Sequence, residues 1–530
     1  MSACLCGVDL GTTATKGILI REDGQVLAEA SEPSRLLQRG AGWVEQDLED
    51  MVASAIRVVR ACMERSGIRP DAVAGLCLDG QMAGTAAVDR EGRAAMPYDS
   101  WLDIRCTPYV QRMRSRAQEI CARTGAPPTY SHGPKILWWM HERPETFAQI
   151  CKFVMPAGYV TMRLCGMRGE EAFVDPTYLH FSCLSDTERG QWSEALCAHF
   201  GVPQDRLPRI VEPWEVVGRL SREAAEAMGL RSGTPVAAGA GDQAAAMLGA
   251  GVLEPGMAYD AAGTASVLAL CVDRFAPDVH TGTLLCARMV PQGRWYLIGY
   301  IGGGGLNLRW WRDLLRQITG TDRWDYPELD AAARSVPPGC QGLLFIPHLA
   351  GRVCPNQPEL RGAWLGVAWT HGPEHLYRAM LESVAYEYAI YLEIARERSG
   401  VGPLREVRVV GGGARSDLWN QIKCDVLGVP YARLNRTEAA ALGSALLAGF
   451  AVGVFRDWQE AAGRFTWPVQ RYTPDWENHV RYRTAATAYR AVVEDRAFWT
   501  RLTATDAEEP ITAQKPPGSP HAADGLPGEP

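Results

Sequence analysis

"GVDLGTTATKGILI", residues 7–20, places a carboxylate, Asp9, two residues before a glycine, Gly11, and two threonines, Thr12 and Thr13, with a lysine at Lys16. Apolar and β-branched residues flank this polar centre, so the stretch predicts two short strands joined by a tight hairpin turn. A turn that carries a negative charge and a row of hydroxyls is either a solvated connection or a grip for phosphates and a metal. The surrounding chain decides between them. "REDGQVLAEAS", residues 21–31, adds an Asp-Gly turn at 23–24 and a third alternating strand, which makes three antiparallel strands in a row. "GWVEQDLEDMVASAIRVVRACMERSG", residues 42–67, reads as a polar cap leading into an amphipathic helix, and "DAVAGLCLDG", residues 71–80, as a buried strand ending at a glycine. Strand and helix patterns then alternate up to residue 246, where "GTPVAAGAGDQAAAMLGAG", residues 233–251, predicts an apolar strand, a glycine turn and a small-residue helix.

The second half opens by echoing the first. "YDAAGTASVLALCV", residues 259–272, is again strand, Gly-Thr turn, strand, with Gly263, Thr264 and Ser266 repeating the glycine and hydroxyl pattern of Gly11, Thr12 and Thr13. Two copies of one unit are suggested. Beyond it lie a glycine run at 302–305, a long helix over about 374–398, and "REVRVVGGGARSDLWNQIKCDVLG", residues 405–428, which reads as strand, three glycines and helix. We therefore expect an N-terminal domain over 1–247 and a C-terminal domain over 248–500. The last residues, 506–530, are rich in Pro, Gly and acid, cannot build a core, and are expected to be a disordered tail.

Composition narrows the function. A chain of 530 residues, 47% apolar, is long enough for two or three domains with cores of their own. A net charge of −7 gives no basic footprint for nucleic acid, and no run of eighteen apolar residues offers a membrane span. The opening MSACLCGVDL lacks the basic and long apolar regions of a secretory signal, so a cytoplasmic protein is expected. Fifteen cysteines are scattered singly, which fits reduced, buried thiols better than a disulfide framework or a zinc knuckle. Only five residues are lysine, against forty-nine arginines, which sets Lys16 apart.

Two motifs imitate known sites and fail on physical grounds, and a third is missing. "GAGDQA", residues 239–244, has the glycines of a dinucleotide fingerprint, with Asp260 at the distance of a ribose-binding acid. Asp242, however, follows the glycines directly and would repel a pyrophosphate there. "HGPEH", residues 371–375, spells an inverted zinc-protease motif, but Gly372 and Pro373 put a helix start between the histidines. A phosphate loop of Walker type is absent, because the dipeptide Gly-Lys never occurs.

What remains is an acid beside threonines on one turn, a matching Gly-Thr turn, a glycine-rich strand-to-helix turn and Asp242 at a helix start. These are the parts of phosphoryl transfer: turns whose N–H groups and hydroxyls bind phosphate, a carboxylate for Mg²⁺, and one base beside the accepting hydroxyl. Asp242 fits the base, and its alternative role is that of a helix cap. Glycines at 411–413 would let a flat adenosine approach the backbone.

At these residues the chain resembles the FGGY carbohydrate kinases, and within them the xylulokinase-like branch, over residues 3 to about 470. The hairpin is similar to that family's first phosphate turn; "GWVEQD" (42–47), "GDQ" (241–243) and "EAAALGSALLAG" (438–449) resemble further blocks, and "GAWLGVAWTHGPEHLYRAMLE" (362–382) meets its C-terminal signature in full. "YSHGPKILWWMHE" (130–142) meets the other signature except that His132 stands where a small hydroxyl or proline is usual. The resemblance implies an α/β fold of two actin-like, ribonuclease H-like domains, with a sugar or polyol and ATP meeting in the cleft between them and Mg²⁺ as cofactor. It implies Asp242 as base and Asp9 as the Mg²⁺-linked acid. Thr12, Thr13, Lys16, Gly263 and Thr264 would be the phosphate turns, and Gly305, Gly412, Gly413, Ser416 and Asn420 the nucleotide side. The sugar side would draw on Gln81, Met82, Ala83, Trp101, Asp103 and Gln243. In "DGQMAG", residues 79–84, Ala83 replaces the histidine of the xylulokinase block, so one polar contact to a sugar hydroxyl is missing. The Arg-Glu pair of the glycerol branch is absent at 82 and 83. The acceptor, the hydroxyl used, and pairing into a homodimer are left open, and a switch ATPase or a silent sugar sensor on the same fold are the rival classes.

Overall fold

The computed structural model describes residues 2–503; the expected tail lies outside the described residues. The quoted stretch forms a hairpin of strands Cys4–Leu10 and Ala14–Arg21, in register so that Asp9 faces Lys16, and its turn is closed by the Gly11 N–H donating to the Ala14 carbonyl at 3.1 Å. Strand Val26–Pro33 follows antiparallel, as its alternation demands. On the other side of Cys4–Leu10 lies the parallel strand Val73–Gly80, which sets Asp79 opposite Asp9, and Pro235–Ala237 continues the parallel order. Buried along its whole length, Cys4–Leu10 is covered on both faces, the pattern of a central strand.

A second sheet repeats this order. Met257–Ala262 and Ser266–Val272 form its hairpin, Trp295–Ile301 lies antiparallel beyond, and Glu406–Val410 and then Tyr431–Leu434 run parallel on the other side. Each half thus builds three antiparallel strands followed by parallel strands, which is the ribonuclease H-like plan that the resemblance implies, in the two copies that the repeated Gly-Thr turn suggests. Helix Leu48–Ser66, capped by Asp47, lies against the first sheet with Val58 under Gly17, and helix Pro373–Ser399 runs through the core of the second half.

The halves are joined by two short helices made of small residues. Helix Ala440–Ala451, late in the sequence, packs on the first sheet and crosses helix Asp242–Gly249. The contact is so close that a Cβ at Gly7 would stand 2.1 Å from the Ala441 carbonyl oxygen, and one at Gly443 would stand 1.8 Å from that of Ala245. Glycine is the only residue those positions admit without moving a backbone.

One feature departs from the sequence reading. Residues 42–47 do not lead straight into the helix: Trp43–Gln46 is a strand in a five-stranded sheet with Leu37–Gly40, Ala94–Asp99, Thr85–Val88 and Lys152–Val154. The simple alternation of strand and helix expected over this half is therefore interrupted by an inserted antiparallel sheet. Four-residue strands such as Trp43–Gln46 are too short to show a period against the polar residues around them. The two look-alike motifs stay excluded at their residues. The helix at 373 begins between His371 and His375, and Asp260, fully buried, is bound to the Lys423 ammonium and the Tyr388 hydroxyl, with no oxygen left for a ribose. Of the fifteen cysteines, all are free thiols and only Cys165 is more than slightly exposed. Among the described residues, no helix is long and apolar enough to cross a membrane.

Candidate functional site

Three carboxylates meet where the first sheet ends. Asp9 and Asp79 sit side by side on parallel strands, both buried and close enough to share a hydrogen bond. Burial pushes both carboxyls up; the charge of Asp9 raises Asp79 further, whereas the Lys16 ammonium and the hydrogen bond with Asp79 pull Asp9 back down. Two neighbouring carboxylates cannot both ionise without a cation. The Ser444 hydroxyl donates to Asp79 Oδ2 at 2.6 Å, while Asp79 Oδ1 is buried with no partner. An orphaned oxygen beside a second carboxylate is a donor set suited to Mg²⁺, which needs only one or two protein oxygens when phosphates and water complete its shell. Among the described residues no group of three or more His, Cys, Asp or Glu is arranged for a metal, so this pair would hold one only together with ligand oxygens.

Asp242 opens its helix at the first helical residue. The cap position is Gly241, which has no side chain to offer, so Asp242 is not the cap that its residue type allows. Burial, then the nearby charge of Asp9, pushes its carboxyl up to about 7, with Gln243 partly offsetting the rise. A carboxylate poised there can exchange a proton near neutral pH. Its backbone is fixed from behind: the Gly241 N–H donates to Thr177 Oγ1 at 2.8 Å, and the Tyr178 hydroxyl reaches both the Gly80 and the Ala240 carbonyls, at 3.1 and 3.2 Å. One phenol thus ties the end of the Asp79 strand to the approach to Asp242.

Around these acids the expected sugar-side residues are partly joined. The Trp101 indole N–H donates to Thr12 Oγ1 at 2.8 Å, Thr12 donates to Gln81 Oε1 at 3.1 Å, and Gln81 Nε2 donates to Gln46 Oε1 at 2.8 Å. Thr12, expected to face phosphate, therefore already links the hairpin turn to the sugar side. Met82 is buried over Gly241, where a Cβ would stand 2.5 Å from its methyl, and Ala83 beside it is half-buried. Gln243 keeps a buried Oε1 without a partner. Asp103 stands apart from the expectation. It is fully buried, and its two oxygens accept from the Val44 and Arg105 N–H groups and the Arg105 guanidinium, so it shapes the loop and has no free edge for a sugar.

The expected nucleotide side converges from three segments. The Gly305 N–H donates to the Gly263 carbonyl and the Leu306 N–H to the Thr264 carbonyl, both at 3.0 Å, which seats the second Gly-Thr turn on the start of helix Gly304–Thr319. At Gly411, with φ +87°, a Cβ would stand 2.7 Å from the Ala262 carbonyl oxygen; Gly412 is exposed over open space. Thr13 and Thr264 are the exposed hydroxyl residues of the two equivalent turns. Ser416 is spent differently from the expectation: it caps helix Asp417–Leu427 through the Trp419 N–H and donates to Asp330 at 2.6 Å. Asn420 is fully buried and holds the glycine turn through the Ala414 carbonyl at 2.8 Å, so its contribution there is to the shape of the turn.

A short late segment links both sides. The Thr437 carbonyl accepts from the Gly411 N–H at 3.0 Å, Glu438 pairs with Lys16 at 2.5 Å, and Ser444 reaches Asp79. Sequence reasoning missed Asp79, Gln46, Glu438 and Ser444 as site residues. Asp79 carried a usable signal, since it ends its strand just before a glycine as Asp9 does one residue earlier; the other three showed none in isolation.

Residues 4–249 match the FGGY family of carbohydrate kinases, N-terminal domain, and residues 262–452 the C-terminal domain of the same family. A xylulose kinase of Bacillus subtilis is 28% identical over 92% of this chain and 96% of its own length, and a glycerol kinase of Aromatoleum aromaticum 31% identical over 93% and 99%. Among solved structures, a xylulose kinase from Rhodospirillum rubrum superposes with TM-score 0.85 at 26% identity, covering 94% of this chain and all of that one. A gluconate kinase from Lactobacillus acidophilus, at 22% identity and TM-score 0.86 over 95% of this chain and all of its own, shares the fold.

Proposed function

Because the chain belongs to the FGGY family of carbohydrate kinases, we propose that it transfers the γ-phosphoryl group of ATP to a hydroxyl of a ketopentose or a related sugar or polyol, with Asp242 accepting that hydroxyl's proton. The observation that carries the reading is Asp242 itself: an uncapping acid at a helix start, held near neutrality, beside the Asp9–Asp79 pair. Phosphoryl transfer is mostly positioning and charge neutralisation, and it asks for a single base at the nucleophile. In this reading Gln81, Met82, Ala83, Trp101 and Gln243 shape the acceptor pocket in the 1–247 part. Thr13, Lys16, Gly263 and Thr264 border the transferring phosphate, and Gly305, Gly412 and Gly413 line the nucleotide in the 248–500 part. Asp9, with Asp79, would hold Mg²⁺, which supplies neutralisation of the phosphate charge.

D-xylulose is the leading acceptor on the resemblance of the whole chain to xylulose kinases. A different sugar, a tetrose or a pentitol is the second reading, favoured by the apolar pair Met82-Ala83 on the expected sugar wall; glycerol stands behind these, because the same two positions lack the Arg-Glu pair of the glycerol branch. ATP consumption measured with each of these acceptors and with none, followed by isolation of the phosphorylated product, tests both. Acceptor-independent turnover would instead support a switch ATPase and refute the proposal.

A further inference from the structure

We infer that His132 is a positioning residue for acceptor recognition, acting through the turn Gln81–Gly84. The inference rests on the proposed sugar side of that turn. His132 opens helix His132–Glu142, is 3% exposed, and its Nε2 lies 2.5 Å from the Met82 carbonyl oxygen. A carbonyl only accepts, so Nε2 carries the hydrogen and donates. Burial holds the imidazole down to about 4, so it keeps this neutral form across the range in which Asp242 changes charge.

The turn it holds has little else of its own. Its residues are Gln-Met-Ala-Gly; Ala83 has no side-chain polar atom, and the strand pairing of Val73–Gly80 ends with the Gln81 N–H donating to the Leu10 carbonyl at 3.3 Å. What fixes it comes from behind and from both ends. Tyr178 binds the Gly80 carbonyl, Gln46 and Thr12 hold the Gln81 amide, and Gly84 lies so close under Tyr98 that a Cβ would stand 2.2 Å from the phenol oxygen. Between these anchors the Met82 carbonyl has His132, and the Met82 side chain in turn covers Gly241, the residue before Asp242. Releasing that carbonyl frees the middle of the turn and loosens the wall against which Asp242 is set. Two positions where the chain departs from its family's blocks, 83 and 132, are thereby adjacent in space: a short side chain on the pocket wall, and an imidazole that fastens the wall's backbone.

His132→Ala removes the donor, whereas His132→Gln keeps an amide N–H of similar reach. Two measurements on the full chain read the effect: backbone hydrogen exchange across residues 78–86, 262–266 and 410–416, and kcat/KM for acceptors beside KM for ATP, using D-xylulose and the acceptor panel as probes. The expected result for His132→Ala is faster exchange confined to 81–84 and a ten- to hundredfold loss in acceptor kcat/KM with KM for ATP unchanged; His132→Gln recovers most of both. Unchanged exchange at 81–84, equal changes at the glycine turns of the second half, or no difference between the Ala and Gln variants overturns the inference. If the wild type acts on no acceptor, the proposed function fails, and the exchange pattern with its recovery by Gln decides the role of His132 by itself.

Discussion

Asp242→Asn should make the protein inactive and, above neutral pH, more stable. The first half follows from chemistry: an amide cannot take the acceptor's proton, so turnover should fall by roughly a hundred- to ten-thousandfold. The second follows from linkage. The folded carboxyl is held at about 7 against an ordinary value of 3.8, so the folded state binds a proton more tightly than the unfolded chain. A raised carboxyl destabilises progressively as pH climbs through the unfolded value and costs its full amount above the folded one. That full amount is at most about 4 kcal/mol at ~1.4 kcal/mol for each unit. Asp242 is half-buried, so about half of it is the expected effect. Asn carries no such cost. At pH 8 without Mg²⁺ the variant should therefore melt several degrees higher than wild type, with the gap shrinking toward pH 5 and closing below pH 4. In the wild type, acceptor kcat/KM should rise with pH through about 7 as the base loses its proton. Calorimetric melting at three pH values and turnover with the best acceptor provide the numbers. An Asn variant that retains turnover would refute the base assignment, and one that melts lower at pH 8 would refute the electrostatic account.

Asp79→Asn keeps an acceptor for Ser444 but removes half of the carboxylate pair, and it should raise the Mg²⁺ concentration for half-maximal activity by about ten- to a hundredfold; an unchanged Mg²⁺ titration would remove Asp79 from the metal site. Ala83→His should shift relative kcat/KM among acceptors, toward D-xylulose if the wall follows the xylulokinase plan, while KM for ATP stays put; an unaltered acceptor profile would mean the turn does not face the sugar. Gly443→Val must push apart two helix backbones, because even a Cβ would meet the Ala245 carbonyl at 1.8 Å. It should cost about 3 kcal/mol or more, read as a lower melting temperature with the Asp242→Asn gap preserved.

The hairpin, the repeated Gly-Thr turn and the strand-glycine-helix at 405–428 were legible because each carries its own local chemistry: β-branched flanks, a glycine where the chain must turn, a polar residue at a helix start. Asp242 was legible for the same reason, although its place proved to be one residue inside the cap. The inserted sheet was not, since Leu37–Gly40 and Trp43–Gln46 have four residues each and take their state from pairing with Ala94–Asp99. Asp103 shows the opposite limit. A carboxylate in the right block looks available until Arg105, two residues on, is seen to occupy it. Glu438 and Ser444 became site residues only through contacts spanning 422 and 365 positions, which no local pattern records.

Helix Ala440–Ala451 also bears on the order in which the molecule can be made. A ribosome releases the first sheet hundreds of residues before the helix that covers it, so the groove above Gly7 stays bare through most of synthesis. During that interval the strand Cys4–Leu10, buried on both faces in the finished fold and apolar but for Asp9, is a nascent surface that a chaperone or a neighbouring chain can engage. The early half is thus a debtor to the late one: expressed as residues 1–247 alone it should aggregate or remain loose, and supplying residues 248–503 in trans should rescue it. Gene truncations that spare every acid of the cleft but stop before residue 440 should lose the fold of the part they leave intact.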